Sequence, residues 1–181
     1  MSEPTTPPEA LLGAALSLLG PRRRGVEELK NRLRKKGFKS QEIANCLAWL
    51  EKRDLLDDHA FSQALARDRV KLSPRSPAVV QRELALRGIS KPVAQAAVQR
   101  VLEEEDISEG QLAEAAARGW VRRQGPKVLE AMGAEDFTPH RGRARRRLYG
   151  FLSRRGFRGD AARKGMEAAF LEARNRLSLN D

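Results

Sequence analysis

A chain of 181 residues with 40% hydrophobic and only 5% aromatic residues has enough apolar material for a core, and its bias toward Ala, Leu, Arg and Glu favours helix almost throughout. A formal charge of +11 and a pI near 10.6 point to a polyanion, or to a partner that itself lies on one. The single cysteine, Cys46, excludes a disulfide framework and a thiolate metal site, and His59 and His140 stand without ligand spacing around them.

Residues 1–8 form a Pro/Thr/Ser tail with nothing to pack and are expected to be disordered. Glu9 to Leu19 reads as a short helix whose Leu11, Leu12, Ala15, Leu16 and Leu19 make a broad apolar side, ended by Gly20-Pro21. Its apolar run is too short for a bilayer. Glu3 and Glu9 precede that run and the arginines follow it, the wrong order for a secretory leader, so a cytoplasmic location without membrane contact is expected. Arg22, Arg23 and Arg24 then occupy an exposed connection from which three charges can reach a partner.

Glu27 to Leu50 reads as a complete helix, turn and helix. Val26, Leu29 and Leu33 share one helical face, Gly37 stops the helix as a left-handed C-cap, Ser40 is the expected N-cap of the next helix, and Ile43, Leu47 and Leu50 repeat the spacing with Cys46 at the edge. Leu29, Leu33, Phe38, Leu47 and Leu50 stand at fixed offsets from Gly37. The same offsets hold Val80, Leu84, Ile89, Val98 and Val101 around Gly88, and Leu148, Leu152, Phe157, Met166 and Ala169 around Gly156. Five apolar offsets and a glycine, three times over, predict tandem repeats that stack because none can bury its apolar face alone. The expected architecture is all-α: three three-helix repeats at 9–56, 57–107 and 108–181 forming an elongated, curved, solenoid-like body of nine principal helices. The glycines lie 51 and then 68 residues apart, which places an insertion near 124–140.

Asp57 and Asp58 stand at a helix start, where carboxylates accept orphan backbone N–H groups, so they read as caps and not as metal or acid/base groups. Phe61, Leu65 and Ala66 are expected to face inward. The run Leu55-Leu56-Asp57-Asp58-x-x-Phe61-x-x-Ala64-x-x-Arg67-x-Arg69, followed by Gln81-Arg82-Glu83-Leu84-x-x-x-Gly88-Ile89, resembles the signature of the regulatory protein RecX family. Leu29-x-x-x-Leu33-x-x-x-Gly37-Phe38 matches the family's first helical module, and Arg154-Arg155-Gly156-Phe157 extends the likeness into the third. Two stretches depart from it: Ser73-Pro74-Arg75-Ser76-Pro77, where the family often carries a glycine-containing turn, and the insertion.

Charge is uneven along the chain. Basic and acidic residues number 11 and 7 in 1–56, 8 and 8 in 57–107, and 16 and 9 in 108–181. Residues 141–158 hold eight arginines and no acid, and Arg143, Arg147 and Arg154 fall within a sector of about 40° on a helix, beside the apolar Ala144, Leu148 and Leu152. Such a row suits phosphate contact. The last helix, Asp160 to Leu177, is expected to turn Met166, Ala169 and Phe170 to the core.

No nucleophile, base and orienter, no phosphate loop and no metal set can be assembled, so neither enzymatic activity nor a cofactor is expected. The resemblance implies a regulator that binds the RecA recombinase filament along its helical groove. It would limit filament growth, ATP hydrolysis and strand exchange, and so modulate recombination, DNA repair and the SOS response. Contact with single- or double-stranded DNA and a monomeric state are further expectations. The residues expected to carry contact are Arg22, Arg23, Arg24, Arg67, Arg69, Arg82, Arg143, Arg147, Arg154 and Arg155. The alternative is a DNA-binding helix-turn-helix regulator, in which each glycine turn would lead into a recognition helix.

Overall fold

The computed structural model describes residues 6–20, 25–134, 136 and 138–179. These form ten α-helices: α1 Glu9–Leu19, α2 Val26–Lys35, α3 Ser40–Glu51, α4 Asp58–Lys71, α5 Pro77–Ala85, α6 Lys91–Glu104, α7 Glu109–Val121, α8 Pro126–Gly133, α9 Pro139–Arg154 and α10 Gly159–Ser178. There is no strand among the described residues. The helix beyond the nine expected is α8, which lies inside the expected insertion and starts with Pro126 at a position where a missing N–H costs nothing. The expected tail falls partly on residues 1–5, outside the described residues.

The chain divides into two compact units, Met1–Ala66 with Gln81–Arg100, and Arg67–Val80 with Val101–Asp181. In the first, Leu11, Leu29, Leu33, Ile43, Leu47 and Leu50 form the core, with Cys46 buried among them as an apolar filler whose thiol pKa is raised by burial. In the second, α7, α9 and α10 enclose Leu112, Trp120, Leu148, Leu152 and Phe157. The buried side of α10 is made of Ala162, Gly165, Ala168, Ala169 and Ala173. Met166 and Phe170, expected in the core, are only half-buried. The reason is proximity: a Cβ on Gly165 would lie 2.9 Å from the Ala113 carbonyl oxygen, so the helices approach too closely for large side chains between them. Similarly, α1 buries Leu11 and Ala15 but leaves Leu16 43% exposed, because one face of a short helix suffices to cover the core.

Gly37, Gly88 and Gly156 all adopt positive φ, at 90°, 83° and 88°. At each, the glycine N–H donates to the carbonyl three residues back and the following residue donates to the carbonyl five back: Phe38 to Leu33, Ile89 to Leu84, Phe157 to Leu152. This is the left-handed C-cap, whose apolar partner pair is the same pair the offsets single out. Asp54 and Asp106 make the same backbone bonds at φ 55° and 46° without being glycine.

These turns also join repeats. A Cβ on Gly88 would lie 2.6 Å from the Glu28 backbone nitrogen, in the first turn of α2, and one on Gly25 would lie 2.6 Å from the Arg87 carbonyl oxygen. One repeat on, a Cβ on Gly156 would collide with Ser76 Oγ and Val79 Cγ2 at the start of α5, and the Ser76 N–H donates to the Arg155 carbonyl at 2.9 Å. The glycine turn of each later repeat thus packs on the N-terminus of the second helix of the repeat before it. Around Gly37, the first of the three turns, nothing lies within 4 Å.

The two aspartates divide the capping work. Asp57 Oδ1 accepts the His59 and Ala60 N–H groups at 2.8 and 2.9 Å and caps α4 itself. Asp58 Oδ1 accepts the Val26 N–H at 3.0 Å and so caps α2 from another element. In α5 the corresponding first residue is Pro77, which has no N–H to cap. Ser40 is not an N-cap: Lys39 holds the extended cap conformation, Ser40 is already helical, and Glu42 receives the Lys39 N–H at 3.4 Å. On α4, Ala66 is buried but Phe61 and Leu65 are half-buried, while Ser62 takes an interior place by donating its hydroxyl to the Asp58 carbonyl at 2.6 Å.

Candidate nucleic-acid and partner interface

The expected contact residues are spread over several elements. Arg22, Arg23 and Arg24 lie outside the described residues. Arg67 and Arg69 sit on the last turns of α4, where Arg67 pairs with Glu104 at 2.7 Å, so part of its charge is used within the protein. Arg82 is exposed on α5. Arg143, Arg147 and Arg154 are exposed along one face of α9, which is turned away from the buried Leu148 and Leu152 and not beside them as expected. Arg143 contacts the His140 ring at 2.7 Å. Thr138 fixes the start of α9 by accepting the Arg141 N–H at 3.1 Å, and the helix then runs for 16 residues without an acid, which is what keeps the row charged and solvent-facing.

Arg155 differs from its neighbours. It follows the last residue of α9, is half-buried, stacks 4.4 Å from the Phe151 ring centroid, and reaches Ser73 Oγ at 3.4 Å. Burial lowers its pKa below the usual guanidinium value, with Arg75 and Arg123 adding repulsion.

A second basic face of α9 is turned to α10. The two helices border a groove of about 1000 Å3 lined by Arg141, Arg145, Arg146, Tyr149, Met166, Phe170 and Arg174, among others. Arg141 lies over the Phe170 ring at 5.3 Å and donates to the Ala134 carbonyl. Arg163 at the same groove is held by Asp160 and by Glu167 at 2.7 Å. Arg145, Arg146 and Arg174 make no ion pair among the described residues, and Tyr149 is 55% exposed beside them. This mixture of free guanidinium groups over an apolar floor offers both charge and a flat stacking surface. Sequence reasoning missed it, although Arg145 and Tyr149 stand one helical turn apart, as do Met166, Phe170 and Arg174.

Among the described residues no three His, Cys, Asp or Glu side chains are placed to hold a metal ion, and no helix is long and apolar enough to cross a membrane.

Residues 57–98 match the family model for the second three-helix domain of RecX. Over 169 residues the chain is 31% identical to the regulatory protein RecX of Halorhodospira halophila, covering 93% of this chain and 94% of that one. The chain belongs to the RecX family. The RecX protein of Amycolatopsis mediterranei is 34% identical over 77% of this chain and 71% of its own length. That of Chlorobaculum tepidum is 37% identical, but the match spans only about half of each chain, 43% of this one and 49% of the relative. The crystal structure of RecX from Lactobacillus salivarius superposes with a TM-score of 0.66 over 90% of this chain and 96% of its own, at 18% identity, so the all-α repeat fold is shared. These relatives are named regulatory proteins.

Proposed function

We propose that this RecX-family protein binds filaments of the RecA recombinase along their helical groove as a monomer. It thereby inhibits filament growth, ATP hydrolysis and strand exchange, modulating homologous recombination, DNA repair and the SOS response. The modules are the repeats at 9–56, 57–107 and 108–181, and the third supplies the main contact surface. The observation that carries the reading is the arginine-rich α9, exposed on both the Arg143–Arg147–Arg154 face and the groove face, within a chain matched over nearly its whole length by a RecX regulator. A filament coated on DNA presents acidic side chains and phosphates together, and both suit forked guanidinium donors. Single- and double-stranded DNA are the expected nucleic-acid partners, with Arg22 to Arg24, Arg67, Arg69 and Arg82 as supporting contacts.

The test is RecA-dependent ATP hydrolysis on single-stranded DNA with this protein added below the RecA protomer concentration. Turnover should fall while the protein alone hydrolyses nothing. Unchanged turnover even when the protein is in large excess would overturn the reading.

A further inference from the structure

Two segments far apart in sequence meet where α9 ends. The Ser76 N–H donates to the Arg155 carbonyl at 2.9 Å, and Arg155 Nη1 reaches Ser73 Oγ at 3.4 Å, so residues 73–76 are pinned against the end of that helix. This loop carries Arg75. Arg123, exposed two residues beyond α7, lies near enough that it and Arg75 both repel the Arg155 charge. The Nε atoms of Arg75 and Arg155 are buried and have no hydrogen-bond partner.

This arrangement is costly as it stands. Buried polar atoms are nearly always hydrogen-bonded, and charges withdrawn from water are nearly always paired. No carboxylate is among the charges that perturb Arg155. Basic residues at helix C-termini ordinarily complement the carbonyl end, which accounts for Arg123 and Arg155 but not for Arg75, which sits in a loop. Nor does the stacking of Arg155 on Phe151 satisfy its Nε–H. An oxyanion accepting from the outer Nη groups of the forks would relieve the repulsion.

We propose that Arg75, Arg123 and Arg155, with the Ser73 hydroxyl, form a clamp for a backbone phosphate of nucleic acid, separate from the row on the α9 face. A phosphate is favoured over an acidic side chain by the surroundings. Arg154 and Arg158 flank Arg155 without an acid between them, so the region matches a strand with one charge per nucleotide better than a single carboxylate. The proposal rests on the nucleic-acid part of the proposed function and assigns one phosphate contact within it.

The experiment is a salt titration of binding to a fluorescein-labelled oligothymidylate by fluorescence anisotropy, for the parent chain and for Arg75→Gln, Arg123→Ala and their double variant. A poly-glutamate peptide serves as the second probe, and circular dichroism checks the fold. Arg123 is exposed and Arg75 lies in a loop, so these changes spare the helices. Loss of a charged hydrogen bond should weaken oligonucleotide binding on the order of tenfold. The double variant should reduce the magnitude of the salt slope by about 0.7, the share of one single-strand phosphate. If the parent binds and the folded variants match it, the clamp is wrong while nucleic-acid binding stands. If the variants lose poly-glutamate binding but keep the oligonucleotide, the site serves an acidic protein segment and the phosphate assignment is overturned. If the parent binds no oligonucleotide, the clamp and the nucleic-acid part of the proposed function fail together, and the ATPase assay decides the RecA part independently.

Discussion

Replacing Gly88 by alanine should destabilise the protein well beyond the effect of the same change at Gly37, although the two glycines have nearly the same φ, 83° and 90°, and the same C-cap bonds. At Gly37 nothing lies within 4 Å of the added methyl, so only the left-handed backbone of an L residue is penalised, about 1–2 kcal/mol. At Gly88 the methyl would sit 2.6 Å from the Glu28 backbone nitrogen and 2.9 Å from Glu27 Cβ. A backbone atom cannot swing aside as a flexible side chain does, so the turn must lift off α2, and overpacking of this kind adds about 1–3 kcal/mol. The totals are therefore about 1–2 kcal/mol for Gly37→Ala and about 2–5 kcal/mol for Gly88→Ala. Both glycines belong to the same compact unit, so one transition reports on both. Urea unfolding followed by circular dichroism gives the comparison, and each kcal/mol should move the thermal midpoint by about 2–4 °C in a chain of this size. Equal shifts for the two variants would refute the idea that the turn's close approach to α2 holds successive repeats together.

Changing Arg143, Arg147 and Arg154 together to alanine should reduce the magnitude of the salt slope of DNA binding by about 2–3 units without altering sequence preference; an unchanged slope would assign this face to solvent or to protein contact. Burial raises the Asp58 pKa, opposed by the Val26 N–H and by His59 and assisted by Asp57 and Glu27. Stability from its protonated form is therefore present below the ordinary carboxylate range and is lost as pH rises through the elevated value. Asp58→Asn keeps an acceptor for Val26 without the buried charge. It should match or exceed the parent at neutral pH, with any advantage vanishing in acid, whereas Asp58→Ala should lose about 1 kcal/mol with the cap; a chemical-denaturation series across pH separates these outcomes. Asp106→Gly should stabilise by about 0.5–1 kcal/mol, because Asp106 holds φ 46°, where glycine has no Cβ penalty; a lower melting temperature would contradict this.

Much of the fold was legible because its determinants are local. The glycine offsets encode both a C-cap and the apolar pair that closes it, so Leu33 with Phe38, Leu84 with Ile89 and Leu152 with Phe157 follow from spacing alone. What spacing conveys poorly is how closely two helices approach. Met166 and Phe170 satisfy the period for a core face, yet the Gly165 contact with Ala113 gives that place to small residues and leaves the larger ones at the groove. Ser40 failed as a cap because helix starts are set by which residue turns extended, and Glu42 could serve Lys39 instead. Among the charged groups, Arg143, Arg147 and Arg154 share a face by periodicity, but the pinning of the Arg75 loop against Arg155 arises from distant segments brought together by packing.

The length of α9 sets the third repeat apart from the first two. The second helix begins eleven residues before its glycine in the first two repeats, at Val26 and Pro77, but seventeen before it in the third, at Pro139. The surface that would receive a further glycine turn corresponds to Ala144 to Arg147, which lies in mid-helix with its N–H groups already bonded and additional helix in front of it. The contact that Gly88 and Gly156 make with a helix start therefore has no counterpart on α9. Six extra helical residues thus remove from the third repeat the helix start on which the glycine turns of the second and third repeats pack.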